Sequence, residues 1–139
     1  MPRTLVRVYR DADFEQVERL WRKVFPADPP RNHAANSIPR KLAHQPELFL
    51  VAEREGAVVG TTMAGYDGHR GWLYSVAVAR RFRGEGVGQM LVHAAEERLR
   101  ALGCIKINLQ IRNGNEAVAG FYRRLGYDED RVISMGKLL

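Results

Sequence analysis

The stretch ARRFRGEGVGQML, residues 79–91, contains an arginine followed by three glycines at alternate positions. A strand-like run, WLYSVAV, precedes it, and a segment with helical periodicity follows it. The first N–H groups of a helix lack partners within the helix and carry a partial positive charge. Glycines let the backbone approach an anion, and an arginine adds a charge-assisted hydrogen bond. The loop is therefore predicted to hold a phosphate group; a turn that needs left-handed dihedral angles is the alternative.

Two familiar glycine-rich phosphate loops do not fit this stretch. A P-loop ends in Gly-Lys-Ser/Thr, whereas Gly88 is followed by Gln89 and Met90. A dinucleotide fingerprint requires a glycine three residues after Gly86, where the sequence has Gln89. That fingerprint also expects a parallel βαβ unit opening the chain, and the sequence does not predict one. The loop thus indicates a phosphate compound of another kind.

The elements before the loop follow from periodicity and turn residues. TLVRVYR alternates and predicts a first strand, and DADFEQVERLWRKVF predicts a helix with Asp11 as its N-cap. SIPRKLAHQ predicts a short second helix with Ser37 as its cap and Pro39 in the first turn. LFLVAER, AVVGTTMAGY and GWLYSVAV then predict three consecutive antiparallel strands, joined by turns at Glu55-Gly56 and Asp67-Gly68.

The elements after the loop complete the fold. An apolar stripe predicts a helix over about residues 87–102, with Gly103 just past its end. CIKINLQI predicts a buried fifth strand, a turn at Asn113-Gly114-Asn115 leads into a helix ending near Leu125-Gly126, and RVISMGKLL predicts a final strand. The order β-α-α-β-β-β-α-β-α-β, with or without one further strand, predicts an α+β fold. Its sheet is mixed, mostly antiparallel and flanked by helices.

Length and composition limit the class of protein. A chain of 139 residues with 45% hydrophobic residues is predicted to form one domain, residues 1–139. The apolar runs are too short to span a bilayer, so no membrane segment is expected. Cys104 is the only cysteine, which excludes an internal disulfide and suits the cytoplasm. No Cys/His cluster has ligand spacing, so no metal site is predicted.

The net charge of +6 is compatible with an anionic partner. A basic nucleic-acid-binding domain is one interpretation, but such domains usually add exposed aromatic residues on a sheet or a basic helix, and the sequence shows neither. A phosphate-bearing small molecule accounts for part of the charge equally well. We therefore expect no nucleic-acid partner.

Two motifs together resemble a known family. Arg83-Gly84-Glu85-Gly86-Val87-Gly88 resembles the R/Q-x-x-G-x-G/A pyrophosphate loop of the GNAT superfamily of acetyl-CoA-dependent N-acetyltransferases. NEAVAGFYRRLGY, which begins at Asn115, resembles the family's N-x(6)-Y-x(3)-G-[FY] segment and lies 32 residues after Arg83. The element order is also the GNAT order, so the resemblance covers nearly the whole chain. The stretch GYDGHRG is similar to a small, single-domain bacterial branch.

The resemblance implies that the chain binds acetyl-CoA as acetyl donor. The glycine loop would hold the pyrophosphate, and the backbone of Val76 to Val78 would pair with the pantetheine arm like an added strand. This requires strands four and five to splay apart. A backbone N–H near Val76 would then polarise the thioester carbonyl. The implied cofactor-binding residues are Val76, Ala77, Val78, Arg83, Gly84, Glu85, Gly86, Val87, Gly88, Gln89 and Asn115.

The resemblance also implies a catalytic residue. Tyr122 matches the GNAT tyrosine that protonates the departing thiolate, although it also fits a packed helix position beside Phe121 and Leu125. Asn115 fits both an N-cap and a contact to the cofactor arm. Gln110 occupies the strand-five position where some GNAT enzymes carry a glutamate, so the general base is not identified. His69 near the hairpin turn is a weaker candidate, since a turn histidine is more often solvated.

The acceptor is predicted only as a primary amine of a small molecule, peptide or protein. The resemblance assigns its site largely to residues 25–45, where cationic side chains outnumber the single acid Asp28. A non-catalytic acetyl-CoA-binding sensor or partner module is the alternative function, because the strand-five acid is missing. A monomer and a homodimer are both compatible with the sequence. The cationic side chains of this segment are Arg31, Arg40, Lys41 and His44.

Overall fold

Five strands form one mixed sheet in the order β1-β2-β3-β4-β5. The first four are antiparallel neighbours, and β5 runs parallel to β4. The computed structural model describes residues 3–139. The predicted α+β class and the mostly antiparallel sheet are confirmed. The strands are β1 (Thr4–Val8), β2 (Phe49–Arg54), β3 (Ala57–Tyr66), β4 (Gly71–Val78) and β5 (Ile107–Asn108).

The described part of the chain contains four α-helices. The chain divides into two compact units, Met1–Leu109 with the whole sheet and Gln110–Leu139 with the last helix. The expectation of one domain over residues 1–139 stays a prediction. In residues 3–139 no helix is both long and apolar enough to cross a membrane. The helices are α1 (Phe14–Val24), α2 (Ala34–Leu42), α3 (Val87–Ala101) and α4 (Glu116–Arg124).

Apolar side chains on both faces of the sheet build the core of the first unit. On one face, Phe49 of β2 stacks on Tyr9 and packs against Trp21 of α1. On the other face, Leu91 of α3 packs with Ala52 and Val59. Because side chains alternate along a strand, successive residues of β2 or β3 pack into the core on opposite faces of the sheet. This arrangement makes the middle of β3 fully buried.

The start of α1 differs from the prediction. Asp11 begins a 3-10 turn, Asp11–Asp13, and does not cap the α-helix, which starts at Phe14. The reason is that buried Asp13 is held by two partners: its carboxylate accepts from Arg7 at 2.8 and 2.9 Å and from the Arg10 N–H at 2.8 Å. The Arg7 guanidinium holds the pKa of Asp13 below its usual range. This ion pair anchors β1 to the helix that carries Trp21.

The second helix also starts earlier than the sequence predicts. It begins at Ala34, so Ser37 lies within it and is not its cap. The Ser37 N–H donates to the His33 carbonyl at 2.8 Å, which closes the first turn before the expected start. Pro39 therefore lies inside the helix and not in its first turn.

Two predicted strands are wrong in whole or in part. CIKINLQI forms only the two-residue strand β5, and Ile105 is 96% exposed. RVISMGKLL forms no strand, and its apolar side chains are exposed. A strand needs a partner for its backbone groups, and residues 110–139 contain no other strand. Alternation of residue types alone cannot supply that partner.

Candidate functional site

The second half of β4 has a free backbone edge in the first unit. β4 pairs with β5 only at Gly71 and Trp72, opposite Ile107 and Asn108. From Leu73 onward, β4 keeps its pairing with β3, but within residues 3–139 no strand lies on its other side. The pairing of strands four and five therefore stops after Trp72, which is compatible with the splay that the resemblance requires. Backbone N–H and C=O groups on this edge can pair with an extended ligand.

A β-bulge reshapes this free half of β4. Thr61 pairs with Ala77 and Met63 with Tyr74, so β4 contains one more residue than β3 between these pairs. Within the bulge, Ser75 has a φ of 50°, a left-handed conformation that is uncommon outside glycine. Bulges redirect backbone groups and are frequent beside active sites. The sequence contained no signal for this bulge.

The glycine loop continues directly from β4. After Val78 the chain makes a 3-10 turn, Arg80–Phe82, and reaches α3 at Val87. Gly84 and Gly86 have φ values of 80° and 84°, and Gly86 is the N-cap of α3. Both glycines thus adopt left-handed dihedral angles, which a simple turn and a phosphate-binding loop both allow, and the loop leads into the first turn of a 15-residue helix. Such a helix N-terminus is suited to bind an anion.

The charged side chains of the loop are already engaged. Arg83 Nε donates to the Val78 carbonyl at 3.1 Å, which ties the loop to the end of β4. Glu85 forms an ion pair of 2.7 Å with Arg54, whose side chain is only 15% exposed. The Arg54 guanidinium also lies 5.1 Å from the centre of the Phe82 ring. Sequence reasoning missed Arg54, because it lies at the end of β2, 31 residues from Glu85.

The second unit contains the other two predicted site residues, one at the N-terminus of α4 and one within it. Asn115 is the N-cap of this helix, and its Oδ1 accepts the Val118 N–H at 3.3 Å. Tyr122 is only 7% exposed. Its ring lies edge-on to those of Phe121 and Tyr127, with ring centres 5.0 and 5.6 Å apart. Burial raises the pKa of Tyr122 to about 12. The phenol is therefore protonated at neutral pH, but the raised pKa also makes it a weaker acid toward a thiolate, whose conjugate acid has an ordinary pKa of about 8.5.

The family comparison agrees with both motifs. The model of the Acetyltransferase (GNAT) family matches residues 14–127 of the chain. The chain belongs to the GNAT family. Acetyltransferase YE1169 from Yersinia enterocolitica is 46% identical over 134 residues, which cover 96% of this chain and 94% of that protein. The protein is accordingly an acetyltransferase.

Solved GNAT structures have the same fold. Ard1 from Thermoplasma volcanium is 27% identical and superposes with a TM-score of 0.79 over 88% of this chain and 81% of that one. Aminoglycoside N-acetyltransferase AAC(6')-Iy, in complex with a CoA-containing bisubstrate analogue, gives a TM-score of 0.80 at 21% identity over 99% of both chains. The second likeness concerns the fold alone. Together they confirm the predicted GNAT architecture.

Neither Gln110 nor His69 has surroundings that would make it a general base. Gln110 Nε2 donates to Ser134 Oγ at 2.6 Å, and an amide cannot take up a proton at neutral pH. His69 is exposed in the β3–β4 turn, where its N–H donates to Asp67 at 2.7 Å. Among residues 3–139 there is also no group of three His, Cys, Asp or Glu side chains that could hold a metal ion.

A partly buried lysine lies close to an aromatic pair on β4. Lys41 Nζ of α2 donates to the Ala64 carbonyl, and burial lowers the pKa of this amine. Trp72 and Tyr74 stack with ring centres 6.3 Å apart, and Tyr74 is 52% exposed. A side chain at Gly65 would touch both Lys41 Nζ and the Tyr74 ring at 3.9–4.0 Å. This surface adjoins the bulge, because Tyr74 directly precedes Ser75.

Proposed function

We propose that this GNAT protein transfers the acetyl group of acetyl-CoA to a primary amine. The observation that carries the proposal is the free, bulged half of β4 running directly into a glycine loop at a helix N-terminus. The free edge supports pairing of Val76 to Val78 with an extended amide-containing arm. The loop from Arg83 to Gln89 supports binding of the pyrophosphate.

The residues of the chain have separate roles in the proposed reaction. The Val76 N–H polarises the thioester carbonyl while a neutral amine attacks its carbon. The C–N bond forms, the C–S bond breaks, and Tyr122 donates its proton to the departing thiolate. The amine loses one proton to solvent, which restores Tyr122 through exchange with water. No metal ion takes part in these steps.

The proposal is tested by thermal unfolding and by thiol release. A ligand at 100 times its dissociation constant adds about 2.7 kcal/mol of stability to the folded state. We expect acetyl-CoA to raise the melting temperature and a panel of amines to release free CoA thiol. The panel should include carboxylate-bearing amines, peptide N-termini and polycationic amines. Absence of any thermal shift at millimolar acetyl-CoA would refute the proposal.

A second candidate is a sensor or partner module that binds acetyl-CoA without turnover. Gln110 favours it, because this residue stands where an acidic general base is found in some GNAT enzymes. The two candidates differ in one measurement. A thermal shift with acetyl-CoA but without thiol release across the amine panel would support the module, whereas release with any amine supports the enzyme.

The Arg54–Glu85 pair leads to a first prediction. Arg54 neutralises a carboxylate inside a loop that binds an anion, so Arg54→Met leaves the Glu85 charge uncompensated. A repulsion between the Glu85 carboxylate and the pyrophosphate on the order of 1 kcal/mol is expected for two charges about 4 Å apart in water, that is, a roughly fivefold weaker binding of acetyl-CoA. Isothermal titration at low salt measures the change.

Two control variants make this prediction specific. Arg54→Met combined with Glu85→Gln should bind acetyl-CoA about as well as the wild type, because no unpaired charge remains. Arg22→Met removes an arginine of the same kind from an exposed ion pair with Glu18 on α1 and should leave binding unchanged. Equal affinities of Arg54→Met and wild-type protein would show that Arg54 has no electrostatic role in the loop.

A further inference from the structure

A chain of two hydrogen bonds connects α1 to the bulge in β4. Trp21 Nε1 donates to Thr61 Oγ1 at 2.9 Å, and Thr61 Oγ1 donates to the Ser75 carbonyl at 2.8 Å. Trp21 is 4% exposed and Thr61 is fully buried. Both side chains lie on the α1 side of the sheet, in the core that contains Phe49 and Met63. The bulge is therefore held from inside the protein.

The chemistry of the groups fixes the direction of this chain. An indole N–H can only donate, so the Thr61 oxygen must accept from Trp21. A hydroxyl has a single hydrogen, and the Thr61 hydrogen is thereby committed to the Ser75 carbonyl. Bonds of this kind in a buried site are stronger than in water. The Ser75 carbonyl is accordingly pulled toward β3.

The orientation of the Ser75 carbonyl determines that of the Val76 N–H, because both belong to the same peptide group. The bond between Ser75 and Val76 is planar and trans, so the Ser75 C=O and the Val76 N–H point in opposite directions. With the carbonyl turned toward β3, the Val76 N–H points away from β3, toward the free edge of β4. The left-handed φ of Ser75 is strained and needs such support.

We propose that Trp21 and Thr61 are positioning residues that aim the Val76 N–H at the carbonyl oxygen of the acetyl thioester. The inference rests on the proposed acetyl-CoA-dependent transfer. Trp21 fixes the Thr61 hydroxyl, Thr61 fixes the Ser75 carbonyl, and the shared peptide plane fixes the Val76 donor. A donor aimed in advance stabilises the negative oxygen that develops as the amine attacks, without reorganisation during the reaction.

The decisive variant is Thr61→Val, which keeps the shape of the side chain and removes the hydroxyl. Loss of a donor to a developing oxyanion costs about 10²- to 10³-fold in kcat, and loss of its support is expected to cost at least about tenfold. Acetyl-CoA affinity should stay within about threefold of the wild type, since the glycine loop is unchanged. Thr61→Ser restores the hydroxyl and should restore kcat.

The neighbouring Thr62→Val is a matched control. Thr62 is as buried as Thr61, but its Oγ1 has no hydrogen-bond partner among residues 3–139. Its replacement should leave kcat within about twofold of the wild type and should not lower the melting temperature. If Thr61→Val and Thr62→Val have the same kcat, the positioning role is refuted.

A measurement independent of turnover separates this inference from the proposed function. The amide NMR signal of Val76 should shift strongly on titration of wild-type protein with acetyl-CoA, and at least half of that shift should be lost in Thr61→Val. An unchanged shift in Thr61→Val overturns the inference alone. Wild-type protein that neither binds acetyl-CoA nor shows this shift overturns the proposed function and, with it, the inference.

Discussion

Replacing Gly86 with valine is expected to remove most of the stabilisation by acetyl-CoA. Gly86 has a φ of 84° and forms the N-cap of α3, and a β-branched residue is strongly disfavoured in that conformation. A Cβ at this position would meet no atom within 4 Å, so the cost is conformational and the loop must change its path. The amide groups at the start of α3 then lose the arrangement that suits a pyrophosphate.

The loss of acetyl-CoA affinity in Gly86→Val is expected to be large, because pyrophosphate binding depends on the geometry of the loop. We expect the affinity for acetyl-CoA to fall at least about a hundredfold, which removes most of the roughly 2.7 kcal/mol of stabilisation expected at saturating ligand. Thermal unfolding with and without acetyl-CoA measures it. Gly56→Val is the control, since Gly56 has a similar φ of 79° in the β2–β3 turn with no atom near its Cβ.

Both glycine variants should lose stability in the absence of ligand, because both put valine into a left-handed conformation. Only Gly86→Val should lose the response to acetyl-CoA. Wild-type affinity in Gly86→Val would remove the glycine loop from the binding site. An equal loss of response in both variants would mean that unfolding, and not the loop, accounts for the effect.

Replacing Tyr122 with phenylalanine is expected to lower kcat about a hundredfold. General acid catalysis contributes about 10²- to 10⁴-fold, and Phe cannot protonate a thiolate. The ring contacts with Phe121 and Tyr127 remain possible in the variant, so the fold and the affinity for acetyl-CoA should change little. Steady-state thiol release and calorimetric titration separate the two quantities.

Tyr9→Phe is the matched control for this experiment. Tyr9 is also buried, at 6% exposure, and stacks on Phe49 within the first unit. Its replacement removes one phenol hydroxyl far along the chain from α4 and should leave kcat within about threefold. If Tyr122→Phe behaves like Tyr9→Phe, Tyr122 serves packing only and the general acid lies elsewhere.

The pH dependence gives a second test of Tyr122. Burial raises the pKa of this phenol to about 12, so it stays protonated as the pH rises to 10. In the proposed mechanism the acid form is the active one, and it would be lost only above that pKa. The wild-type kcat should therefore rise with deprotonation of the amine, which has a pKa of about 10.4 if it is lysine-like, and should not fall again below pH 10. A falling limb below pH 10 that disappears in Tyr122→Phe would contradict the buried, protonated state.

Local sequence was sufficient for the central hairpins and for α3. The turns at Glu55-Gly56 and Asp67-Gly68 join β2, β3 and β4 as predicted. The predicted helix over about residues 87–102 is Val87–Ala101, and Gly103 has the left-handed φ of 90° expected just past its end. These features depend on residues close in sequence, such as glycines in turns and apolar side chains at helical spacing.

The helix starts and the last strands were predicted less well, for different reasons. Asp13 competes with Asp11 at the start of α1 because Arg7 reaches it from β1. The run RVISMGKLL has a strand-like composition, but no strand in residues 110–139 offers backbone partners. Both outcomes depend on groups from other parts of the chain, which the secondary-structure propensity of a local segment does not take into account.

The sequence by itself determined the family, the glycine loop and the two motifs at Arg83 and Asn115, because each is a short pattern of residue types. Only the tertiary structure decided how the free half of β4 is formed and held. The Arg54–Glu85 pair joins residues 31 positions apart, and the hydrogen bonds from Trp21 to Thr61 and from Thr61 to Ser75 span 40 and 14 positions. Such contacts leave no periodic trace in the sequence, since they arise only when separate strands and helices pack together.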